Sequence, residues 1–200
     1  MNETQRLVHL INAMLTATGG EPLSSYIQAN NFSGIVSNIL CDSLHRCSPY
    51  QHYSAQEYPD LMCFDRAGGE LGGLEVKATT QLGKGGESHN GHSGWHLIAH
   101  FTREAATGGI CFRHLMIADL IGHTRPESDW KYLGSKVKED TGSQRTETYS
   151  TTAAGTAKLR HGSVFLDPTI DFRRWRRPHA DSVPHFSIFH PPVVRKPKRR

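Results

Sequence analysis

No apolar run in this chain approaches the roughly 20 residues that a helix needs to cross a bilayer, so no membrane span is expected. The opening Met1-Asn2-Glu3-Thr4-Gln5 lacks the basic-then-apolar layout of a secretory signal. Cysteine is scarce. Four are present (Cys41, Cys47, Cys63, Cys111) and no two stand in Cys-x-x-Cys spacing, which leaves no zinc ribbon and no dithiol redox motif. Reduced thiols in a cytoplasmic protein are the expectation. A phosphate-binding Walker loop and a strand-linked Gly-x-Gly-x-x-Gly are both absent. There is no internal repeat.

A net positive charge is missing from most of the chain. The formal net charge is +4, yet residues 171–200 hold nine Lys/Arg against only Asp171 and Asp181. That segment therefore carries +7 and residues 1–170 carry −3. The expected division is one domain over 1–170 and a basic segment over 171–200, its last ten or so residues flexible.

What is present begins with helices. Leu7, Leu10, Ile11, Met14 and Leu15 recur at helical spacing between Glu3 and Ala17, and Gly19-Gly20 ends the run. A second helix is expected from about Phe32 to Leu44, capped by Asn31 or Ser33, with Ile35, Val36, Ile39 and Leu40 buried. Strand patterns follow at Asp60–Phe64, Leu74–Thr79, Trp95–Thr102 and Ile110–Ile121, the last with a break near Arg113-His114. Residues 84–94 read as a loop, Trp130–Val137 as a possible helix, and Tyr149–Leu166 as irregular β structure. Helices followed by a run of strands imply an α/β domain with a mixed sheet.

The chemistry concentrates in Pro59-Asp60 and Glu75-Val76-Lys77. A hairpin folding back at Gly68-Gly69 sets Asp60 opposite Lys77, and a bulge at Gly72-Gly73 slides that register by a residue or two. Glu75 and Lys77 share one strand face, with Asp60 as their cross-strand neighbour, while Leu74, Val76 and Ala78 turn to a core. Two adjacent carboxylates repel unless a cation sits with them. A hard, octahedral divalent ion that keeps several waters suits such a pair. It can polarise a phosphodiester and acidify an attacking water, with the Lys77 ammonium beside the charge that develops on phosphorus.

With Ala78-Thr79 after it, this pattern resembles the PD-(D/E)xK nuclease superfamily, specifically small type II restriction endonucleases. The resemblance covers about residues 30–120, and the order helix, Asp strand, ExK strand matches. It implies a restriction-endonuclease-like core, a central mixed sheet flanked by helices, in a bacterial or archaeal cytoplasm. It also implies Mg²⁺-dependent cleavage of double-stranded DNA at a short specific site by a homodimer, with Mn²⁺ as a substitute ion. Carried over by motif position, Asp60, Glu75 and the Val76 carbonyl become metal ligands, and Asp60, Glu75 and Lys77 the catalytic set. Many members add an acidic residue from the preceding helix; here Asn38, Asp42, Glu21 and Glu57 are candidates and none matches by position.

The polar loop after the ExK strand carries His89, Asn90, His92 and Ser93, and His96 follows on the next strand. Their spacing fits no zinc motif. Asn and His on a Gly-rich loop can reach base edges, so these five are candidate DNA contacts. Leu97, Ala99 and Phe101 face one side of that strand and His96, Ile98 and His100 the other, where His96 or His100 borders the acidic patch. Arg173, Arg174, Arg176 and Arg177, interleaved with Trp175, are candidate phosphate contacts. Two competing functions remain open at this stage: a structure- or modification-dependent nuclease of the same superfamily, and a non-catalytic DNA-binding protein on this fold.

Overall fold

The computed structural model describes residues 1–53, 57–88, 90–134, 148–171 and 183–190. His89, Arg173, Arg174, Arg176 and Arg177 lie outside the described residues.

Three helices open the chain: α1 (Asn2–Ala17), the short α2 (Leu23–Tyr26) and α3 (Ala29–Cys47). They are followed by β1 (Tyr50–Gln51), β2 (Leu61–Phe64), β3 (Glu70–Thr79), β4 (Glu87–Ser88), β5 (Gly94–Arg103) and β6 (Ile110–Leu120). Next come β7 (Trp130–Tyr132), β8 (Tyr149–Thr151), α4 (Ala153–His161) and β9 (Ser163–Leu166). Six strands form one mixed sheet in the order β1-β2-β3-β5-β6-β9, in which only β3 and β5 run parallel. A second, three-stranded sheet has the order β4-β8-β7. The mixed sheet flanked by helices agrees with the α/β expectation.

The large sheet is buried on both faces. Leu74, Val76, Leu97, Ala99, Phe101, Phe112 and Leu115 pack against Val8 of α1 and Phe32, Val36, Leu40 and Cys41 of α3. Ile98, Met116, Ala118 and Leu120 pack on the other face against Trp130 and Leu159. Strand alternation in β5 is as the sequence implies, and the break expected near Arg113 is a bulge. His100 pairs with His114 and Phe101 with Phe112, so Arg113 is the extra residue. It swings out to Asp167 (3.2 Å) and donates to the Thr169 hydroxyl (2.6 Å).

Several expectations are corrected. Helix α1 buries Thr4, Val8 and Asn12, leaving Leu10 and Met14 of the apolar stripe 46% and 65% exposed. Hydrogen bonds decide this face: Thr4 donates to Ser43 Oγ (3.0 Å), and Asn12 bridges the Gly108 carbonyl and the Leu23 amide. Helix α3 starts three residues early, behind Gln28 and with no side-chain cap, so neither Asn31 nor Ser33 serves. Trp130–Tyr132 is strand rather than helix, because it pairs with Tyr149–Thr151; residues 135–137 lie outside the described residues. The 84–94 loop contributes β4. The stretch 149–166 contains a true helix, α4, whose N-cap Thr152 accepts from the Gly155 amide and whose last turn holds Lys158, Arg160 and His161. Its end is closed by Gly162, where a Cβ would stand 1.7 Å from the Ile117 carbonyl oxygen.

In the C-terminal segment, Val183 and Ser187 are buried and Ile188 donates its amide to the Ser163 carbonyl.

Candidate active site

The hairpin between β2 and β3 sets the site. Asp65 closes its turn: its amide donates to the Gly69 carbonyl (2.8 Å), and its carboxylate accepts from the Ala67 and Gly69 amides. The turn therefore centres on Ala67, one position earlier than the two glycines suggest. Leu71 then bulges, because Cys63 pairs with Gly72 and Phe64 with Glu70. Leu61 meets Leu74, so the register places Asp60 level with Glu75 and not with Lys77. The slip of two residues brings the carboxylates closer than the sequence implied.

Pro59 explains Gly73. A Cβ on Gly73 would lie 2.1 Å from Pro59 Cγ and 2.9 Å from its Cβ, so the proline ring occupies the space of the missing side chain. Gly73→Ala is expected to lower stability by roughly 1–3 kcal/mol, the usual cost of overpacking. Gly34, whose Cβ would meet nothing within 4 Å, is the control and is expected to gain slightly as alanine. Thermal melting of both variants checks this; equal melting temperatures would show that the ring does not seat Asp60 through Gly73.

Beyond Leu74, β2 no longer covers β3, and side chains take its place along that edge. Asp60 Oδ2 accepts from the Val76 amide (2.7 Å). Ser37 of α3 donates its hydroxyl to the Val76 carbonyl (3.2 Å) and accepts from the Ala78 amide (2.8 Å). Glu75 is only 7% exposed. Its Oε1 accepts from Lys77 Nζ (2.5 Å), and its Oε2 is buried with no hydrogen-bond partner. Burial, then the neighbouring Glu75 carboxylate, holds the Asp60 carboxyl above the usual range against the lowering effect of the Val76 amide. The Cys41 thiol, one turn after Ser37, is pushed up to about 12 by burial and by Asp60 and Glu75, so it stays protonated at neutral pH.

His96 stands beside Glu75 as its partner in the parallel β3–β5 register. Its Nδ1 donates to the Gly94 carbonyl (2.8 Å), and burial holds its pKa below the usual value. Its ring lies 5.2 Å from that of Trp130, whose indole donates to the His92 carbonyl (3.0 Å). His92 stacks on Tyr58 at 4.0 Å, and the Tyr58 hydroxyl donates to the Ser93 carbonyl. The Ser93 hydroxyl accepts from the Gly122 amide (2.8 Å). The loop ahead of β5 is thus tied to the Asp60 segment on one side and to the small sheet on the other.

Asp60, Glu75, Val76 and Lys77 are brought together as the motif implies. Asn90 is exposed on the loop; His96 stands beside Glu75, and His92 and Ser93 touch Tyr58, two residues before Asp60. The four candidates for an added residue fare differently. Asp42 pairs with Arg46 (2.8 Å) on the outer side of α3. Glu21 lines a separate cleft of about 700 Å³ with Thr80, Arg103 and Glu104. Glu57 and Asn38 are both exposed; neither makes a described bond to the carboxylates. Ser37 occupies the helix position facing β3. Nothing in the sequence signals it, since a lone serine on an amphipathic helix reads as a solvent-facing residue.

Among the described residues, no group of three or more His, Cys, Asp or Glu side chains is placed to hold a metal ion. Two carboxylates with an unsatisfied buried oxygen still fit a Mg²⁺-type ion, which uses one or two carboxylates and fills its shell with water and phosphate oxygens. No known family, curated protein or solved structure matches this chain. No described helix is long and apolar enough to cross a membrane.

Proposed function

We propose that this chain is a Mg²⁺-dependent endonuclease of the PD-(D/E)xK type that hydrolyses double-stranded DNA at a short specific sequence, acting as a homodimer. The observation that carries the reading is the grouping of Asp60, Glu75 and Lys77 at the uncovered edge of β3, with Glu75 Oε2 buried and unpartnered. Asp60, Glu75 and the Val76 carbonyl would hold the ion, and bound there it supplies positive charge to the phosphodiester and acidifies water.

The chain's own residues supply the rest. Lys77 Nζ, fixed by Glu75, offers an ammonium to the charge that builds on the non-bridging phosphate oxygens as water attacks phosphorus and the 3′ oxygen leaves. Ser37 holds the Val76 carbonyl and the Ala78 amide, and Asp60 holds the Val76 amide, so the strand carrying Glu75 and Lys77 keeps its place on the side that β2 leaves uncovered. Asn90 and His92 lie on the loop next to the patch, where they can read base edges. The loop's anchors through Tyr58 and Trp130 make that reading surface rigid.

The test is incubation of a plasmid of known sequence with the full chain and Mg²⁺ or Mn²⁺, followed by mapping of the ends. Discrete fragments with defined termini are expected, and their loss on chelation. Intact plasmid after treatment with folded protein would overturn the reading. Fragments produced only from methylated or branched duplexes would replace sequence specificity with recognition of modification or structure.

A further inference from the structure

The chain that leaves β3 after Thr79 is bound closely to the sheet face that carries Lys77. Lys77 is the register partner of Ile98, and Ile98 packs with Leu159 of α4. The loop returns to the same helix. A Cβ on Gly85 would stand 2.2 Å from Thr151 Oγ1 and 2.8 Å from Leu159 Cδ1, so only glycine lets the backbone lie there. Two side chains strap the loop's carbonyls. His100 Nε2 donates to the Thr80 carbonyl (2.9 Å), and Arg160 Nε donates to the Gly83 carbonyl (2.9 Å). Gly83 and Gly85 are buried, whereas Lys84 between them is exposed. Neighbouring cations are committed: Lys77 is tied to Glu75, Lys158 to Asp129 and Arg160 to Gly83. The Lys84 ammonium has no ion-pair partner among the described residues.

We propose that Lys84 is a phosphate contact, gripping the sugar–phosphate backbone of duplex DNA a few nucleotides from the bond that is cut. This rests on the reading of Asp60, Glu75 and Lys77 as a centre that cleaves DNA. The reach suits it. Thr80 lies three residues past Lys77, about 10 Å along the strand, and each strand of a duplex carries a phosphate about every 3.4 Å along the helix axis. A duplex with one phosphodiester at Lys77 therefore presents others beside the loop. The support suits it too. Because the backbone on both sides of Lys84 is already strapped down, only its own rotamers are ordered on binding, which keeps the entropic cost small. An ammonium meets a phosphate oxygen as a point charge, so this contact positions the duplex and reads no base.

The test measures binding of the full-length chain to a short labelled duplex of mixed sequence over a series of KCl concentrations. Ca²⁺ replaces Mg²⁺ so that the duplex stays intact. Lys84→Gln is expected to weaken binding about five- to tenfold at about 0.1 M salt, and to lower the slope of log K against log [salt] by about 0.9, the value of one phosphate contact. Lys84→Arg is expected to keep both the affinity and the slope. Arg46→Gln removes a cation from α3, on the opposite face of the sheet, and is expected to change neither. Unchanged affinity and slope in Lys84→Gln would overturn the inference while leaving the cleavage centre standing. An equal loss in Arg46→Gln would overturn it as well, making Lys84 part of a general surface charge. Failure of the wild-type chain to bind the duplex at any salt concentration would overturn both readings.

Discussion

Lys77→Ala is expected to lower the single-turnover rate of duplex DNA cleavage by a factor of about a thousand or more, the scale on which removal of a preorganised charge from a transition state is felt. The ammonium is positioned by a contact of 2.5 Å to Glu75 Oε1, and the side chain remains 30% exposed, so it is held and still accessible to a phosphate. Its removal has a second effect. Glu75 would keep its buried carboxylate beside Asp60 without its cation partner, at a cost of about 1–3 kcal/mol. The variant is therefore expected to be inactive and less stable in the absence of metal. Added Mn²⁺ is expected to restore much of the melting temperature and none of the cleavage. Lys77→Arg separates charge from geometry: a planar fork on a three-methylene stem keeps the ion pair but moves the charge centre, and its activity is expected to stay at least a hundredfold below wild type. Cleavage within tenfold of wild type in Lys77→Ala would remove this residue from the mechanism.

The second large effect is sensitivity to acid. His114 is fully buried, and its pKa is pushed down to about 4 by burial first, then by His100 and Arg160. His96 and His100 are lowered in the same direction, again chiefly by burial. The unfolded chain takes up these protons near pH 6.5, whereas folded His114 does not until about pH 4. For His114 stability is therefore complete above about pH 6.5 and falls as the pH drops from there toward 4, at about 1.4 kcal/mol per unit, and His96 and His100 act in the same sense. His114 alone removes roughly 2 kcal/mol between pH 7.5 and pH 5. Asp60, raised above its ordinary value, acts in the opposite sense, and only as the pH approaches the carboxylate range. Urea unfolding at pH 7.5 and at pH 5 measures the difference, and His114→Gln is expected to flatten it. A midpoint independent of pH over that interval would show that the buried imidazoles do not govern stability.

How much of this could be read from residues alone depended on where the deciding interaction lay. Leu97, Ala99 and Phe101 on one face of β5 and His96, Ile98 and His100 on the other follow from alternation, a local property. The grouping of Asp60 with Glu75 and Lys77 was also legible, because the hairpin is short. Its register was not, since the turn is closed by the Asp65 side chain and Leu71 is extruded. The apolar period in α1 revealed a helix but the wrong face, because Thr4 and Asn12 are buried through hydrogen bonds to Ser43, Gly108 and Leu23. Helix α4 escaped notice since its buried residues are only Gly155 and Leu159. It is secured by contacts distant in sequence, including Lys158 to the buried Asp129 (2.6 Å). Ser37 acts from 39 residues away on a carbonyl whose exposure depends on where β2 stops.

The uncovered stretch of β3 has a consequence for how copies of this chain behave in solution. A strand edge with free amides and carbonyls is a template on which another chain can add a strand and begin to aggregate. From Val76 to Ala78 that template is blocked, because Asp60 and Ser37 already hold the Val76 amide, the Val76 carbonyl and the Ala78 amide. Asp60 thus covers the strand edge at the place where it is proposed to hold the ion. Shortening it to alanine uncovers the Val76 amide, and such a preparation is expected to self-associate as well as fail to cut. Asparagine at the same position keeps an acceptor for that amide and removes only the charge.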